Sequence, residues 1–259
     1  MSISMKRSMP RLRRSSKHQT HERTRMSRGS KLKFFFGTMG SGKSTQALQI
    51  HHNLTTRGLQ VLLISQLDRE EGRVSSRLGV SAEAQIVTPD TDLLSIARTL
   101  VIEEGLDAIV CDEAQFYSPE QIEQLAQVVD LLSVDVFAFG LLTSFQGQLF
   151  PGTARLLELA DERSELQVEA RCYCGNRATH NARLVDGRQV YAGALKVVGD
   201  TNDRSEAATS YELRCRLHWH QELWAQQGRQ LQLPTDHGAD VIELKVKAVE
   251  NEKADPNYE

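Results

Sequence analysis

At 259 residues the chain is long enough for one α/β domain and a small second module, with a core that needs no disulfides. No run approaches the roughly 18 to 20 consecutive apolar residues of a membrane span, which predicts a soluble protein with no membrane partner. The formal charge of -3 is unevenly spread: residues 1–30 hold nine Lys/Arg against the single acid Glu22, leaving a body of 22 basic and 33 acidic residues. That balance argues against a nucleic-acid partner and for a small molecule.

Residues 1–30 are rich in Arg, Ser and Lys and almost free of apolar side chains. They cannot bury enough surface to offset the entropy of ordering, so a disordered basic tail is expected. The same composition is that of an organelle transit peptide, and translation from Met26 is a third reading. From Lys31 the elements alternate. Residues 34–36 form an apolar strand, 43–56 a helix closed by Arg57-Gly58, and 59–65 a second strand. The polar, glycine-containing stretch 66–85 reads as a loop, followed by a helix over 92–104 with Gly105 as its stop. A β-branched strand over 107–111 enters Asp112-Glu113. Ser118-Pro119-Glu120 opens a helix that runs to Leu132, with proline at its first position, and 134–142 is a further buried strand.

Strands separated by helices of about a dozen residues predict a parallel sheet with right-handed crossovers, an α/β domain over 31–165. After Ala160 the texture changes to short strand-like pieces at 189–192 and 195–198, turns at Asp186-Gly187 and Gly199-Asp200, and no long helical period. A second, smaller module is expected over 166–225. Residues 226–259 read as a polar tail with a short helix or strand near 241–249.

The chemistry starts at Gly37-Thr38-Met39-Gly40-Ser41-Gly42-Lys43-Ser44, a Gly-x-x-x-x-Gly-Lys-Ser phosphate loop between strand and helix. Its glycines let backbone N–H groups converge on a polyphosphate. Lys43 can reach the β and γ phosphates, Ser44 can ligate Mg²⁺, and the helix end adds a positive field, which implies a nucleoside triphosphate as ligand. Asp112 suits Mg²⁺ as the acid at a buried strand end, and Glu113 is left either to polarise water, as in an ATPase, or to accept a proton from a substrate hydroxyl, as in a kinase. Asp68-Arg69 stands at the carboxyl edge of the sheet, where it either serves the transferring phosphoryl group or forms a surface ion pair. Phe145, in Thr143-Ser144-Phe145-Gln146, is either a packing residue or a platform for a base, and composition favours packing.

Of the four cysteines, Cys111 reads as a small buried hydrophobe. Cys172-x-Cys174 and Cys215-x-x-His218 offer three thiolates and an imidazole, a closed structural Zn²⁺ set with no open position for catalysis. The first pair is one residue shorter than Cys-x-x-Cys, which leaves His180 and His220 as rivals for the fourth ligand. This usage fits a reducing cytosol.

Taken together, Gly37 to Ser44, Asp68-Arg69, Asp112-Glu113-Ala114-Gln115-Phe116, Thr143-Ser144-Phe145-Gln146, the Cys172/Cys174 pair and Tyr211 four residues before Cys215 resemble the type II thymidine kinases over residues 31–222. The resemblance implies a RecA-like P-loop domain followed by a zinc-binding lasso that closes over the nucleoside. It implies Glu113 as general base toward the deoxyribose 5′ hydroxyl, and Asp112 as the Mg²⁺-associated acid. Nucleotide contacts are implied from Gly37, Thr38, Met39, Gly40, Ser41, Gly42, Lys43, Ser44, Asp68, Arg69, Asp112 and Gln115. Phe145 and Tyr211 match the aromatics around thymine and sugar, and Met39, Phe116, Leu141 and Asn181 the base pocket. The segment Leu195, Lys196, Val197, Val198, Gly199 matches the one whose backbone reads the thymine edge. The resemblance further implies activity on thymidine and deoxyuridine, feedback inhibition by dTTP, a homotetramer and a cytoplasmic location. This sequence departs from the family in its Cys-x-Cys spacing and in the longer polar stretch 200–210.

The alternative is a P-loop ATPase acting on nucleic acid, because Asp112-Glu113-Ala114-Gln115 echoes helicase strand ends. It would need a second motor domain and a basic groove, for which this length and acidic body leave no room. A GTP-dependent switch would need Asn-Lys-x-Asp, which the sequence lacks. The kinase reading expects Glu113 to face the cleft and a pyrimidine-sized cavity to lie beside Phe145 and Tyr211.

Overall fold

Phe34 and Phe35 are neighbours in sequence and face opposite sides of a sheet, because successive side chains of a strand alternate. In the computed structural model, which describes residues 29–66, 73–76, 79–167, 169–195 and 209–226, this alternation builds both faces of the core. The elements in chain order are β1 (Leu32–Gly37), α1 (Lys43–Thr56), β2 (Val61–Ser65), β3 (Arg73–Ser75), β4 (Ser81–Glu83), β5 (Gln85–Ile86) and α2 (Leu93–Glu103). They continue with β6 (Ala108–Asp112), a 3-10 turn (Ala114–Phe116), α3 (Pro119–Leu132), β7 (Asp135–Leu141), α4 (Pro151–Leu159) and β8 (Glu162–Glu165). The last are β9 (His180–Val185), β10 (Arg188–Val190), β11 (Thr209–Arg214) and α5 (Arg216–Gln226).

Six strands form one parallel sheet in the order β5-β2-β6-β7-β1-β8. On one face Phe34, Ile109 and Cys111 join residues of α2, α3 and α4, including Leu93, Ala97, Leu125, Val128 and Leu156. On the other, Val110 and Phe139 pack with Ala47 and Leu48 of α1, and Phe35 stacks on Phe139 at 4.9 Å. Cys111 is fully buried in this core, as expected of a small hydrophobe.

Local chemistry sets the helix ends. Asp92 Oδ1 accepts from Ser95 N–H at 2.9 Å to start α2, and Gly105, at φ 74°, follows its end. Ser118 and Gln121 form a reciprocal capping box in front of α3, with Pro119 at the first position. Among the described residues no helix is long and apolar enough to cross a membrane.

Within the larger domain three segments differ from the sequence expectation. Within 66–85, β3 and β4 pair as an antiparallel hairpin and β5 adds to the sheet beside β2. These strands are two or three residues long and mostly polar, with Val74 as the buried anchor, so they carried no alternation to read. The helix α4 was not expected, although its Pro151 is a first-position signal. β8 is exposed at all four residues and joins the sheet through backbone pairing with β1, reinforced by Lys31 Nζ to Glu162 at 2.5 Å.

Beyond residue 169, β10-β9-β11 form a small antiparallel sheet covered by α5. Its core is Ala182, Leu184 and Trp219, with Tyr191 and Leu223 against them. The expected strand over 189–192 is β10, one residue earlier and shorter, whereas β9, β11 and α5 were not expected. The basic head up to residue 28, Asp68, Arg69, Lys196, Val197, Val198, Gly199 and the tail beyond 226, including 241–249, lie outside the described residues.

Candidate active site

The phosphate loop leaves β1 where a side chain would not fit: a Cβ at Gly37 would lie 2.5 Å from both the Leu166 carbonyl and Ser41 Oγ. Gly40 and Gly42 take φ of 73° and 85°, the left-handed region that glycine enters at little cost, and the chain then turns into α1. Lys43 Nζ donates to the Thr38 carbonyl at 2.7 Å, so the loop's cation is folded back across the loop. Ser41 is buried, Thr38 and Met39 are half-buried, and Met39 N–H donates to Asn181 Oδ1 of β9 at 2.8 Å. That bond ties the second module to the loop.

Asp112 ends β6 and is 5 % exposed. Burial and the neighbouring charge of Glu113 push its carboxyl up to about 6, against the stabilising Ser44 hydroxyl and Lys43 charge. The structure thus brings Ser44, Lys43 and Asp112 together, as the two motifs imply. Glu113 sits in the left-handed region at φ 52° and ψ 35°, an uncommon conformation for a residue with a Cβ. It is an elbow between β6 and the 3-10 turn.

The elbow is braced from behind. Gln115 is 1 % exposed; its Nε2 donates to Glu113 Oε2 at 2.6 Å and its Oε1 accepts from Leu141 N–H at 3.0 Å. Thr153 Oγ1 donates to the Leu141 carbonyl at 2.7 Å. A Cβ at Gly152 would lie 2.4 Å from the Tyr117 carbonyl, and one at Gly140 would lie 3.0 Å from Gln115 Oε1. Sequence reasoning passed over Thr153, Gly140 and Gly152, because bracing of this kind has no motif. Gln115 was expected at the nucleotide, but both ends of its amide are engaged within the protein.

Phe116 meets Phe150 edge to face at 5.5 Å, and Phe150, which sequence reasoning missed, is buried. Leu141 is half-buried at the end of β7, and Asn181 is buried with Nδ2 3.4 Å from the Thr143 carbonyl. Phe145 is 4 % exposed, Tyr211 is 39 % exposed, and Leu195 is also exposed. The expected pyrimidine-sized cavity beside Phe145 and Tyr211 is not what stands there. The guanidinium of Arg183 lies 3.8 Å from the Phe145 ring centroid and 5.5 Å from that of Tyr211. Arg183 follows Asn181 by two residues on β9 and so shares its face, a signal that strand alternation could have supplied.

The second module reaches the loop after β7 as well. Gln146 Nε2 donates to the Gly193 carbonyl at 3.1 Å, and a Cβ at Gly147 would lie 2.6 Å from the Trp219 ring. Cys172, Cys174, Cys215 and His218 bring their ligand atoms within 4.8 Å of one another. The Cys172 Sγ to His218 Nδ1 distance is 3.3 Å, Cys215 Sγ to the same nitrogen 3.5 Å, and Cys174 Sγ to Cys215 Sγ 3.9 Å. Tetrahedral ligation with Zn–S near 2.3 Å requires S···S edges of about 3.8 Å, so the set is compatible with zinc. Burial opposes ionisation of Cys172, but backbone N–H groups at 174 and 215 and the His218 contact hold its thiol down at about 6. His180 packs on Trp219 and His220 rather than joining the cluster, which leaves His218 as the fourth ligand.

A phosphate loop whose Ser44 and Lys43 meet the Asp112 carboxylate at the end of a parallel-sheet strand defines a P-loop nucleotide-binding fold, here with a cysteine-clasped module attached. Residues 30–219 match the family described as thymidine kinase. The chain is 53 % identical over 189 residues to a thymidine kinase of Streptomyces avermitilis, covering 72 % of this chain and 87 % of that one. It is 48 % identical over 207 residues to the enzyme of the same name from Streptomyces coelicolor, covering 79 % and 95 %. A thymidine kinase of Cutibacterium acnes is 45 % identical over 196 residues, covering 75 % and 90 %. The chain belongs to the thymidine kinase family.

Proposed function

We propose that this chain transfers the γ-phosphoryl group of ATP to the 5′ hydroxyl of thymidine, and of deoxyuridine, giving the 5′-monophosphate and ADP for DNA synthesis. The observation that carries this reading is the Glu113 carboxylate, held at the strand end beside Asp112 by Gln115, in a chain of this family. Glu113 takes the proton of the 5′ hydroxyl as its oxygen attacks the γ phosphorus in line, and the bond from that phosphorus to the β-bridging oxygen breaks to release ADP. Lys43 exchanges the Thr38 carbonyl for the β and γ phosphates, and the N–H groups of 37–44 cradle the chain of phosphates. Gln115 is assigned to orienting Glu113 rather than to the nucleotide.

Ser44 and Asp112 are the residues that would hold Mg²⁺, which would neutralise negative charge on the phosphates during transfer. Cys172, Cys174, Cys215 and His218 would hold one Zn²⁺, which would hold the module of 166–225 together beside the kinase domain of 31–165, and closure of that module over the nucleoside would exclude water from the transfer. Asp68 and Arg69 are assigned to the phosphoryl group, and Leu195, Lys196, Val197, Val198 and Gly199 to the thymine edge. Phe116, Leu141, Phe145, Asn181, Met39 and Tyr211 are assigned to the nucleoside pocket. A cytoplasmic homotetramer inhibited by dTTP completes the reading.

The test is ADP release with thymidine, with single-stranded DNA and with neither, on wild type and Glu113→Gln. Thymidine alone should stimulate release, and Glu113→Gln should lower that rate by about 10²- to 10⁴-fold while ATP still binds. Stimulation by DNA instead, or equal loss of transfer and ATP binding in the variant, would overturn it.

A further inference from the structure

Glu113 is held in a conformation that its own backbone disfavours. At φ 52° and ψ 35° a residue with a Cβ is strained, and such an outlier persists only where its surroundings over-determine it. Those surroundings can be followed outward from the carboxylate. Gln115 Nε2 donates to Glu113 Oε2 at 2.6 Å, and Gln115 Oε1 accepts from Leu141 N–H at 3.0 Å. A backbone N–H can only donate, so it turns the oxygen end of that amide toward β7 and leaves the NH₂ end facing the carboxylate.

Leu141 is in turn the point where three elements meet. It is the last residue of β7 and the register partner of Gly37, where the phosphate loop begins. Its carbonyl accepts from Thr153 Oγ1 of α4 at 2.7 Å, and Thr153 is fully buried. The helix reaches this depth because residue 152 is glycine: a Cβ there would lie 2.4, 3.0 and 3.1 Å from the carbonyls of Tyr117, Ala114 and Gln115. The first turn of α4 therefore lies backbone to backbone on the 3-10 turn that carries Gln115. Gly140 clears the side toward β7, since a Cβ there would stand 3.0 Å from both the backbone nitrogen and Oε1 of Gln115. Two glycines and one hydroxyl thus converge on a single amide.

We infer that Thr153 is a positioning residue for the phosphoryl transfer: by gripping the end of β7 it keeps Gln115 aimed at Glu113, and so keeps the general base where the in-line attack requires it. This rests on the thymidine kinase reading above. Thr153 has no exposed surface with which to touch substrate, so it acts through Leu141 and Gln115. The carbonyl and the N–H of Leu141 belong to different peptide planes, and holding both fixes the chain on either side of its Cα. A displacement of about 1 Å at a reacting group costs on the order of 10²-fold in rate, so even a small slackening of this grip reaches the chemistry. Valine would fill the same space without the donor, and serine would keep the donor.

The test measures single-turnover phosphorylation of thymidine by the full chain, at saturating ATP and thymidine. It compares wild type, Thr153→Ser and Thr153→Val, each also in the Glu113→Gln background. Thr153→Val should lower the rate by about three- to tenfold, the range of one net hydrogen bond, with the KM for ATP within twofold. Thr153→Ser should stay within twofold of wild type. In Glu113→Gln the penalty of Thr153→Val should vanish, because the group whose aim it disturbs is already gone. A merely structural role, including a smaller folded fraction, would lower the rate by the same factor in both backgrounds. That outcome, or a Thr153→Val rate equal to wild type, would overturn the inference. If Thr153→Val fails to fold, Thr153→Ala, which also lacks the hydroxyl, decides by the same comparison. A wild type that does not phosphorylate thymidine at all would instead sink the functional reading, so the two failures are distinguishable.

Discussion

The two sheets of this molecule are held by different means. The six-stranded sheet has apolar layers on both faces, with Phe34, Ile109, Leu125, Val128 and Leu156 on one side and Ala47, Leu48, Val110 and Phe139 on the other. The three-stranded sheet buries a core of Ala182, Leu184 and Trp219, with Tyr191 and Leu223 at its margin. Burial scales with size, and a unit this small cannot offset its chain entropy by apolar contact alone. The four clustered ligand atoms are what it has instead. On the proposed function the larger sheet carries the phosphate loop and the general base and the smaller one supplies the cover, so the part assigned to close over substrate is the part with least core of its own.

The strongest way to break this comparison is Cys215→Ser. Structural zinc supplies on the order of 10 kcal/mol or more to small domains, far beyond what a core of three residues returns. Elemental analysis should find zinc falling from one per chain to near zero, and thymidine phosphorylation should be lost. ATP should still raise the melting temperature, because the phosphate loop belongs to the larger sheet. A fully active wild type without metal would refute the cross-link.

The complementary variant is Leu125→Ala, which opens a cavity in the larger sheet's helical layer, where Leu125 is fully buried. Such truncations cost roughly 2–5 kcal/mol. The urea midpoint of the sheet should shift accordingly, while zinc content stays at one per chain under native conditions. Loss of zinc in the same step would show that the two units fold as one.

The same contrast explains what could be read in the sequence. The larger sheet announced itself because its central strands are continuous apolar runs and its helices carry Asp92, Gly105, Ser118 and Pro119 at their ends, signals that depend only on near neighbours. The phosphate loop and Asp112-Glu113 were legible for the same reason. β8 was not, since Glu162 to Glu165 holds its place by backbone bonds to β1 and by Lys31, a partner 131 residues away. β9 and β11 escaped because their cross-strand pairs set a polar residue against an apolar or aromatic one, Tyr211 with Arg183 and Leu213 with Asn181, so neither strand shows a clean alternation. Cys172-x-Cys174 was visible, but only the fold could choose His218 over His180 and His220. Arg183 between Phe145 and Tyr211 was invisible for a further reason: it joins three segments far apart in sequence, and its position violates the expectation that a buried cation has a carboxylate beside it.

The smallest effect worth measuring concerns how local signals and tertiary ones share a helix end. Ser118 Oγ accepts from Gln121 N–H at 3.2 Å, and Gln121 Oε1 accepts from Ser118 N–H at 3.1 Å. Gln121 is also 2 % exposed and donates through Nε2 to the Thr88 and Thr91 carbonyls at 2.8 and 3.1 Å, tying α3 to the segment before α2. Ser118→Ala removes one acceptor and leaves those tertiary bonds in place, so it should cost about 1 kcal/mol, as an isolated cap does, with activity and zinc unchanged. Gln121→Ala removes the reciprocal half of the cap and also both bonds from α3 to the Thr88 and Thr91 carbonyls, so its cost should exceed that of Ser118→Ala by about 1 kcal/mol. Equal costs for the two, measured by urea unfolding, would mean that the cap alone fixes this end of the helix and that the bonds to Thr88 and Thr91 contribute nothing to the larger sheet's stability.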